Sequence, residues 1–269
     1  MFATSRPGSA RGRLVAPLVV YYQVHGAGRP LILLHGGVGA SEMFDPVLPV
    51  LAENRQVLVA HLQAHGRTAD IDRPLSFEFM ADDIAALMGH IGISEADFMG
   101  YSLGGGVLLQ TAIRHPHMVR RLVLISTPVR RHGWYPEVLE SMARTGPRTV
   151  RAIEKSPLYQ LYPDTEWAVL FTKLARLLGQ DYDWSDDVAA IKSPPMIVFA
   201  DADAIQTSHI IEFFGLLGGG ERDAGLDGSA RPTAQLAVLP GMNHYNILSF
   251  PGLAGLVAAF LDATTGENK

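Results

Sequence analysis

The 269-residue chain has no cysteine. That absence removes disulfides, thiolate metal sites and cysteine nucleophiles together, and leaves the redox compartment unread. No apolar run reaches the length of a membrane-spanning helix. Charged residues are only 18% of the chain, the net charge is −5 and no basic stripe is visible. This balance argues against nucleic acid and anionic membrane surfaces as partners. Strand-like patterns are missing from residues 129–187, although they recur on either side. What is present is an apolar content of 48%, the value of a globular chain long enough to bury a sizeable core.

Short apolar runs at residues 31–34, 57–60, 97–100, 122–125, 196–200 and 236–239 suit strands covered on both faces. Helical patterns lie between them. Residues 76–91 place Phe79, Ile84, Leu87, Met88 and Ile91 on one face, with a start at Ser76 and a stop at Gly92. Residues 103–115 and 253–261 read as two further helices. Alternation of strand and helix implies an α/β fold with a parallel sheet and helices on both sides. Residues 1–128 and 188–269 are expected to form the core, and residues 129–187, which hold all three tryptophans, a helical cap. Residues 218–232 read as a polar loop. The basic start, MFATSRPGSARGR, has the composition of a tail, and the apolar stretch behind it reads as a strand rather than a signal peptide. A cytoplasmic location is the default expectation.

The stretch FMGYSLGGGVLL, residues 98–109, puts Ser102 in a G-x-S-x-G pattern between a predicted strand and a predicted helix. In a nucleophile elbow the serine occupies a sharp turn, and its neighbours two before and two after must be small. Such a match arises easily by chance in a glycine-rich chain, so the flanking elements and the partners carry the reading. A dinucleotide loop is a poorer fit, because Leu109 stands where the third glycine is needed and no Gly-Lys-Ser/Thr follows.

A serine hydroxyl needs a base, and the base needs an orienting acid. Of ten histidines, His244 in LPGMNHYN follows the last predicted strand, where a loop can return above Ser102. His209 is expected on a solvent-facing helix. His90 and His115 sit at helix ends, where imidazole complements the dipole. His61 and His65 are four apart, but they enter a loop with no third ligand in view, so no metal is expected. In VFADADAI, Asp203 lies further into the loop than Asp201 and is the preferred acid, although aspartates are also common in turns. The alternative acid position, after residues 122–125, holds Ser126 and Thr127, which cannot serve. In LLHGGVGAS, Gly37 is the expected oxyanion donor, with the Leu103 N–H at the following helix start as the other. His35 reads as a structural hydrogen-bonder of that loop.

These stretches, in this order, resemble the α/β-hydrolase superfamily, closest to its lid-bearing serine esterase and methyl-ester carboxylesterase-like branch. The matching residues are His35-Gly36-Gly37, residues 100–104, Asp203 and His244. The resemblance implies a mostly parallel eight-stranded sheet flanked by helices, with a lid above the active site. One departure is the sequence HLQAHG at residues 61–66, where the family often has Asp-x-x-Gly-x-Gly. Ala200 is another, at a position that often holds glycine. The serine excludes the dehalogenases and epoxide hydrolases of this fold, which use aspartate. The expected function is a serine carboxylester hydrolase working through an acyl-enzyme on a small hydrophobic or aromatic ester or lactone. Perhydrolase and carbon–carbon bond hydrolase readings share the triad. A non-catalytic small-molecule receptor on the same fold is the alternative of another class. No cofactor is expected. Val38, Tyr101, Trp134, Tyr159, Tyr162 and Trp167 are the candidate pocket residues; the cap aromatics could equally form the cap's own small core.

Overall fold

The computed structural model describes residues 13–15, 18–144 and 147–263. The basic start, residues 1–12, lies outside them. Nine strands are described: β1 (Arg13–Val15), β2 (Leu18–Val20), β3 (Tyr22–His25), β4 (Arg29–Leu34), β5 (Arg55–Ala60), β6 (Ala96–Tyr101), β7 (Val119–Ile125), β8 (Pro195–Ala202) and β9 (Gln235–Asn243). Seven of them form one sheet in the order β3-β5-β4-β6-β7-β8-β9. All neighbours are parallel except β3, which runs antiparallel to β5. The main sheet thus has seven strands among the described residues, not the eight the resemblance implied. The apolar stretch read as one strand divides between a ribbon, β1 paired antiparallel with β2, and the edge strand β3.

The central strands are buried on both faces, so they read as unbroken apolar runs rather than alternating ones. Ile32, Leu34, Phe98, Leu122 and Leu124 point to one side, under the helices Phe77–Ile91 and Leu103–Arg114. Leu31, Leu33, Met99, Val123 and Ile125 point to the other, against the C-terminal helix Leu253–Asp262. The helix Phe77–Ile91 starts where Ser76 Oγ accepts the Phe79 N–H and ends at Gly92, whose left-handed φ of 78° closes it. Its inner face differs from the expectation. Phe77, Met80, Ile84 and Leu87 are buried, while Phe79 is 43% exposed and its ring lies beneath the Arg73 guanidinium. Phe77 is in phase with Met80 and Ile84 at helical spacing; Phe79 is not.

Between β7 and β8 the described residues form helices and turns, with isolated bridges pairing Arg130 with Asp183 and Trp134 with Ile205 and no strand. The longest helix, Trp167–Gly179, buries Trp167, Leu170, Phe171, Leu174 and Leu177. This insertion is fastened to the sheet loops by polar contacts. Lys173 Nζ lies 2.6 Å from the Asp70 carboxylate, the Tyr162 hydroxyl donates to Glu42 at 2.7 Å, and Thr165 Oγ1 donates to the Gly66 carbonyl at 2.9 Å. Residues 218–232 hold neither helix nor strand. Among the described residues no helix is long and apolar enough to cross a membrane.

Candidate active site

Ser102 stands at the junction of β6 and the helix Leu103–Arg114, with φ 52° and ψ −113°. A non-glycine residue there carries strain of roughly 1–3 kcal/mol. The surroundings hold it. Its N–H donates to the Ile125 carbonyl at 2.9 Å, and its own carbonyl accepts the Gly106 N–H at 3.1 Å. The flanking glycines are required by close approach. A Cβ on Gly104 would lie 2.2 Å from the Leu34 carbonyl oxygen, and one on Gly100 would lie 2.7 Å from the Gly104 backbone. Neither contact has room to give, because both neighbours are main chain in packed elements.

Three side chains distant in sequence meet at this turn. His244 Nε2 lies 3.2 Å from Ser102 Oγ, and His244 Nδ1 lies 2.9 Å from Asp203 Oδ1. A carboxylate only accepts, so Nδ1 carries the proton and Nε2 is left as the acceptor for the serine hydroxyl. Asp203 leaves the end of β8 and is nearly buried. Its Oδ2 accepts the Ser126 hydroxyl at 2.5 Å and the Ala200 N–H at 3.0 Å. Burial alone would raise its pKa, but the hydrogen bonds from His244, Ser126 and Ala200 outweigh it and hold the carboxyl below its ordinary value. Asp201 is exposed and turned away, accepting the Gly241 N–H at 2.9 Å. Tyr101 donates its hydroxyl to the His244 carbonyl at 2.6 Å, fixing the histidine loop from below.

The N–H groups of Gly37 and Leu103 have no acceptor among the described residues, and both residues line the same cavity as Ser102 and His244. Leu103 opens its helix, so its N–H lies at the positive end of the dipole. The cavity measures about 360 Å³, within the range of small-molecule sites. Its far wall comes from two helical faces of the insertion: Val138 and Met142 at a spacing of four, and Phe171, Leu174 and Leu178 at three and four. Val38, Tyr101 and Trp134 line it. Tyr159, Tyr162 and Trp167 do not. Trp167 stacks on Tyr159 and donates Nε1–H to the Tyr162 carbonyl, while Tyr162 bonds Glu42, so these three form the insertion's own packing and anchor. Sequence reasoning missed Phe171 and Leu174, whose signal was an amphipathic stripe rather than the tryptophan content.

Four other histidines are buried: His35, His61, His65 and His209. His35 Nδ1 donates to the Gly36 carbonyl at 2.8 Å, and its Nε2 accepts the Leu62 N–H at 3.1 Å, tying the Gly37 loop to the loop after β5. His61 takes the place of the aspartate in the family pattern: its Nδ1 accepts the Arg67 N–H and its Nε2 faces Ser41 Oγ. Ala64, where the pattern has glycine, sits at φ 65°. His209 is not solvent-facing; it is 3% exposed, and Nε2 accepts the Val129 N–H.

Burial holds His35 at a pKa of about 4, and His61 and His65 at about 3. In the unfolded chain each titrates near 6.5. As pH falls below that value the unfolded state takes up three protons that the native state refuses, so stability is present above about pH 6.5 and drains away as pH drops toward 4. Each histidine contributes a slope on the order of 1.4 kcal/mol per pH unit. Urea midpoints measured between about pH 7.5 and 5, above the carboxylate range, are expected to fall steeply; a flat profile would contradict the neutral buried cluster.

A seven-stranded sheet with an elbow after its central strand and a helical insertion above it defines a class. The alpha/beta hydrolase fold family model matches residues 29–219, and the chain belongs to that family. It is 26% identical to a putative carbamate hydrolase, RutD, of Azorhizobium caulinodans over 71% of this chain and 80% of that one. It is 37% identical to a 2-hydroxymuconate semialdehyde hydrolase of Pseudomonas sp. (strain CF600), over 38% of either chain. The fold superposes on carboxylesterase CesB from Bacillus subtilis with a TM-score of 0.76 at 20% identity, covering 94% of this chain and 91% of that one.

Proposed function

We propose that the protein is a serine hydrolase that cleaves small carboxylic esters with an apolar group. The reading rests on one observation: Asp203, His244 and Ser102 in hydrogen-bonding line at the edge of an apolar cavity. Ser102 Oγ attacks the ester carbonyl carbon and gives its proton to His244 Nε2. Asp203 keeps the imidazole oriented and balances its charge. The oxyanion accepts the N–H groups of Gly37 and Leu103. Collapse breaks the bond to the alkoxy oxygen, which leaves with the proton from His244. Water then attacks the acyl-enzyme, His244 takes its proton and returns it to Ser102 Oγ, and the acid departs.

Support for hydrolysis comes from the family and from relatives that carry hydrolase names. Those names also set the comparison: a carbamate and 2-hydroxymuconate semialdehyde both belong in a substrate panel beside aryl, alkyl and lactone esters. A fluorophosphonate is expected to label the folded protein once, at Ser102, by intact mass and peptide mapping. A folded protein that resists the probe would favour a receptor with an idle triad.

A further inference from the structure

Ser126 follows β7 at the position where a carboxylate would be the alternative acid. A hydroxyl cannot balance an imidazolium charge, yet this one is placed with care. The residue is fully buried, has a left-handed φ of 49°, and is pinned by its N–H to the Val198 carbonyl of β8 at 2.8 Å. That backbone twist aims Oγ at Asp203 Oδ2, 2.5 Å away. Its two neighbours hold the nucleophile instead. The Ile125 carbonyl takes the Ser102 N–H, and Thr127 Oγ1 lies 3.3 Å from the Ser102 carbonyl oxygen. Residues 125–127 therefore touch both ends of the Ser102–His244–Asp203 line.

We infer that Ser126 is a positioning residue: its hydroxyl pins Oδ2 of Asp203 so that Oδ1 alone meets His244 Nδ1, while the same turn fixes the backbone of Ser102. The inference rests on the triad reading above. Two rotatable bonds, Cα–Cβ and Cβ–Cγ, lie between the main chain and the carboxylate oxygens, and burial alone does not fix them. With Oδ2 held by Ser126 and Ala200, turning the carboxylate away from the imidazole breaks two hydrogen bonds besides that to His244. Without the hydroxyl, only the Ala200 N–H remains on that oxygen.

The test is steady-state kinetics on the full chain with a p-nitrophenyl acyl ester. Ser126→Gly removes the hydroxyl and suits the left-handed backbone, so the fold is expected to survive; Ser126→Ala is the second variant, matched in Cβ. For either, kcat is expected to fall about 10- to 100-fold, the worth of a hydrogen bond to a charged group. KM is expected to stay within roughly 2-fold, because Ser126 is absent from the cavity wall. In an Asp203→Ala background the same change is expected to cost nothing further, since its partner is gone. An unchanged kcat in both variants, or a full multiplicative loss in the Asp203→Ala background, overturns the inference. If Ser102→Ala abolishes turnover while Ser126→Gly matches the native protein, only this inference fails; if Ser102→Ala stays active, the triad reading fails first.

Discussion

Ser102→Ala is expected to lower kcat/KM on a p-nitrophenyl acyl ester by about 10⁴- to 10⁶-fold, the scale on which serine hydrolases lose their nucleophile. The loss is chemical rather than structural. Alanine keeps the Cβ, the main-chain bonds to Ile125 and Gly106 are unaffected, and only the hydroxyl facing His244 Nε2 disappears. Unfolding free energies of the two proteins from urea titration are therefore expected to agree within roughly 1 kcal/mol. The molecule contains a second buried serine–histidine contact, Ser41 Oγ to His61 Nε2 at 3.1 Å, and it makes the comparison sharper. Both ring nitrogens of His61 face main-chain donors, the Arg67 N–H 3.0 Å from Nδ1 and the Ser41 N–H 3.2 Å from Nε2. Among the described residues no carboxylate bonds this ring to orient it, in contrast to Asp203 on His244. Ser41→Ala is expected to keep activity within a few-fold of native. Retained turnover in Ser102→Ala, or its loss in Ser41→Ala alone, would move the chemistry to another serine.

The parts of this molecule that were legible in sequence are those set by local constraint. The elbow glycines announce a place where main chain meets main chain, and the structure puts the Leu34 carbonyl 2.2 Å from where a Gly104 side chain would begin. The strands of a doubly covered sheet are visible because both faces demand apolar residues, so no alternation interrupts them. What stayed hidden depends on packing between distant segments. Phe77 and Phe79 are two positions apart, on nearly opposite sides of the helix, and the packing against the sheet puts Phe77 inside. The tryptophans of the insertion are plausible pocket walls by composition, yet Trp167 turns to Tyr159 while Phe171 and Leu174 line the cavity. His209 looks like a surface histidine until the loop at Val129 presents an N–H that needs an acceptor. Ser126 is too weak an acid to replace a carboxylate, and what its hydroxyl holds depends on a partner, Asp203, 77 residues further along the chain.

Asp203→Asn is expected to cost roughly 10⁴-fold in kcat, through the tautomer of His244 rather than through the fold. The hydrogen bonds already present decide how the amide would sit. Oδ2 of Asp203 receives two donors, the Ser126 hydroxyl and the Ala200 N–H. An NH₂ group in that place would face the Ala200 N–H with no acceptor, so the amide oxygen takes it and the NH₂ is turned toward His244. The imidazole must then accept at Nδ1 and carry its proton on Nε2, where it cannot receive one from Ser102. KM and the urea midpoint are expected to change little, because the shape of the side chain is preserved. Asp201→Asn provides the contrast. Its carboxylate is solvent-exposed and holds only the Gly241 N–H, an interaction an amide oxygen can also make, so activity within about 3-fold of native is expected. A crippled Asp201→Asn beside an active Asp203→Asn would reverse the assignment of the acid, and with it the reason for the polar turn at residues 125–127 to reach across to β8.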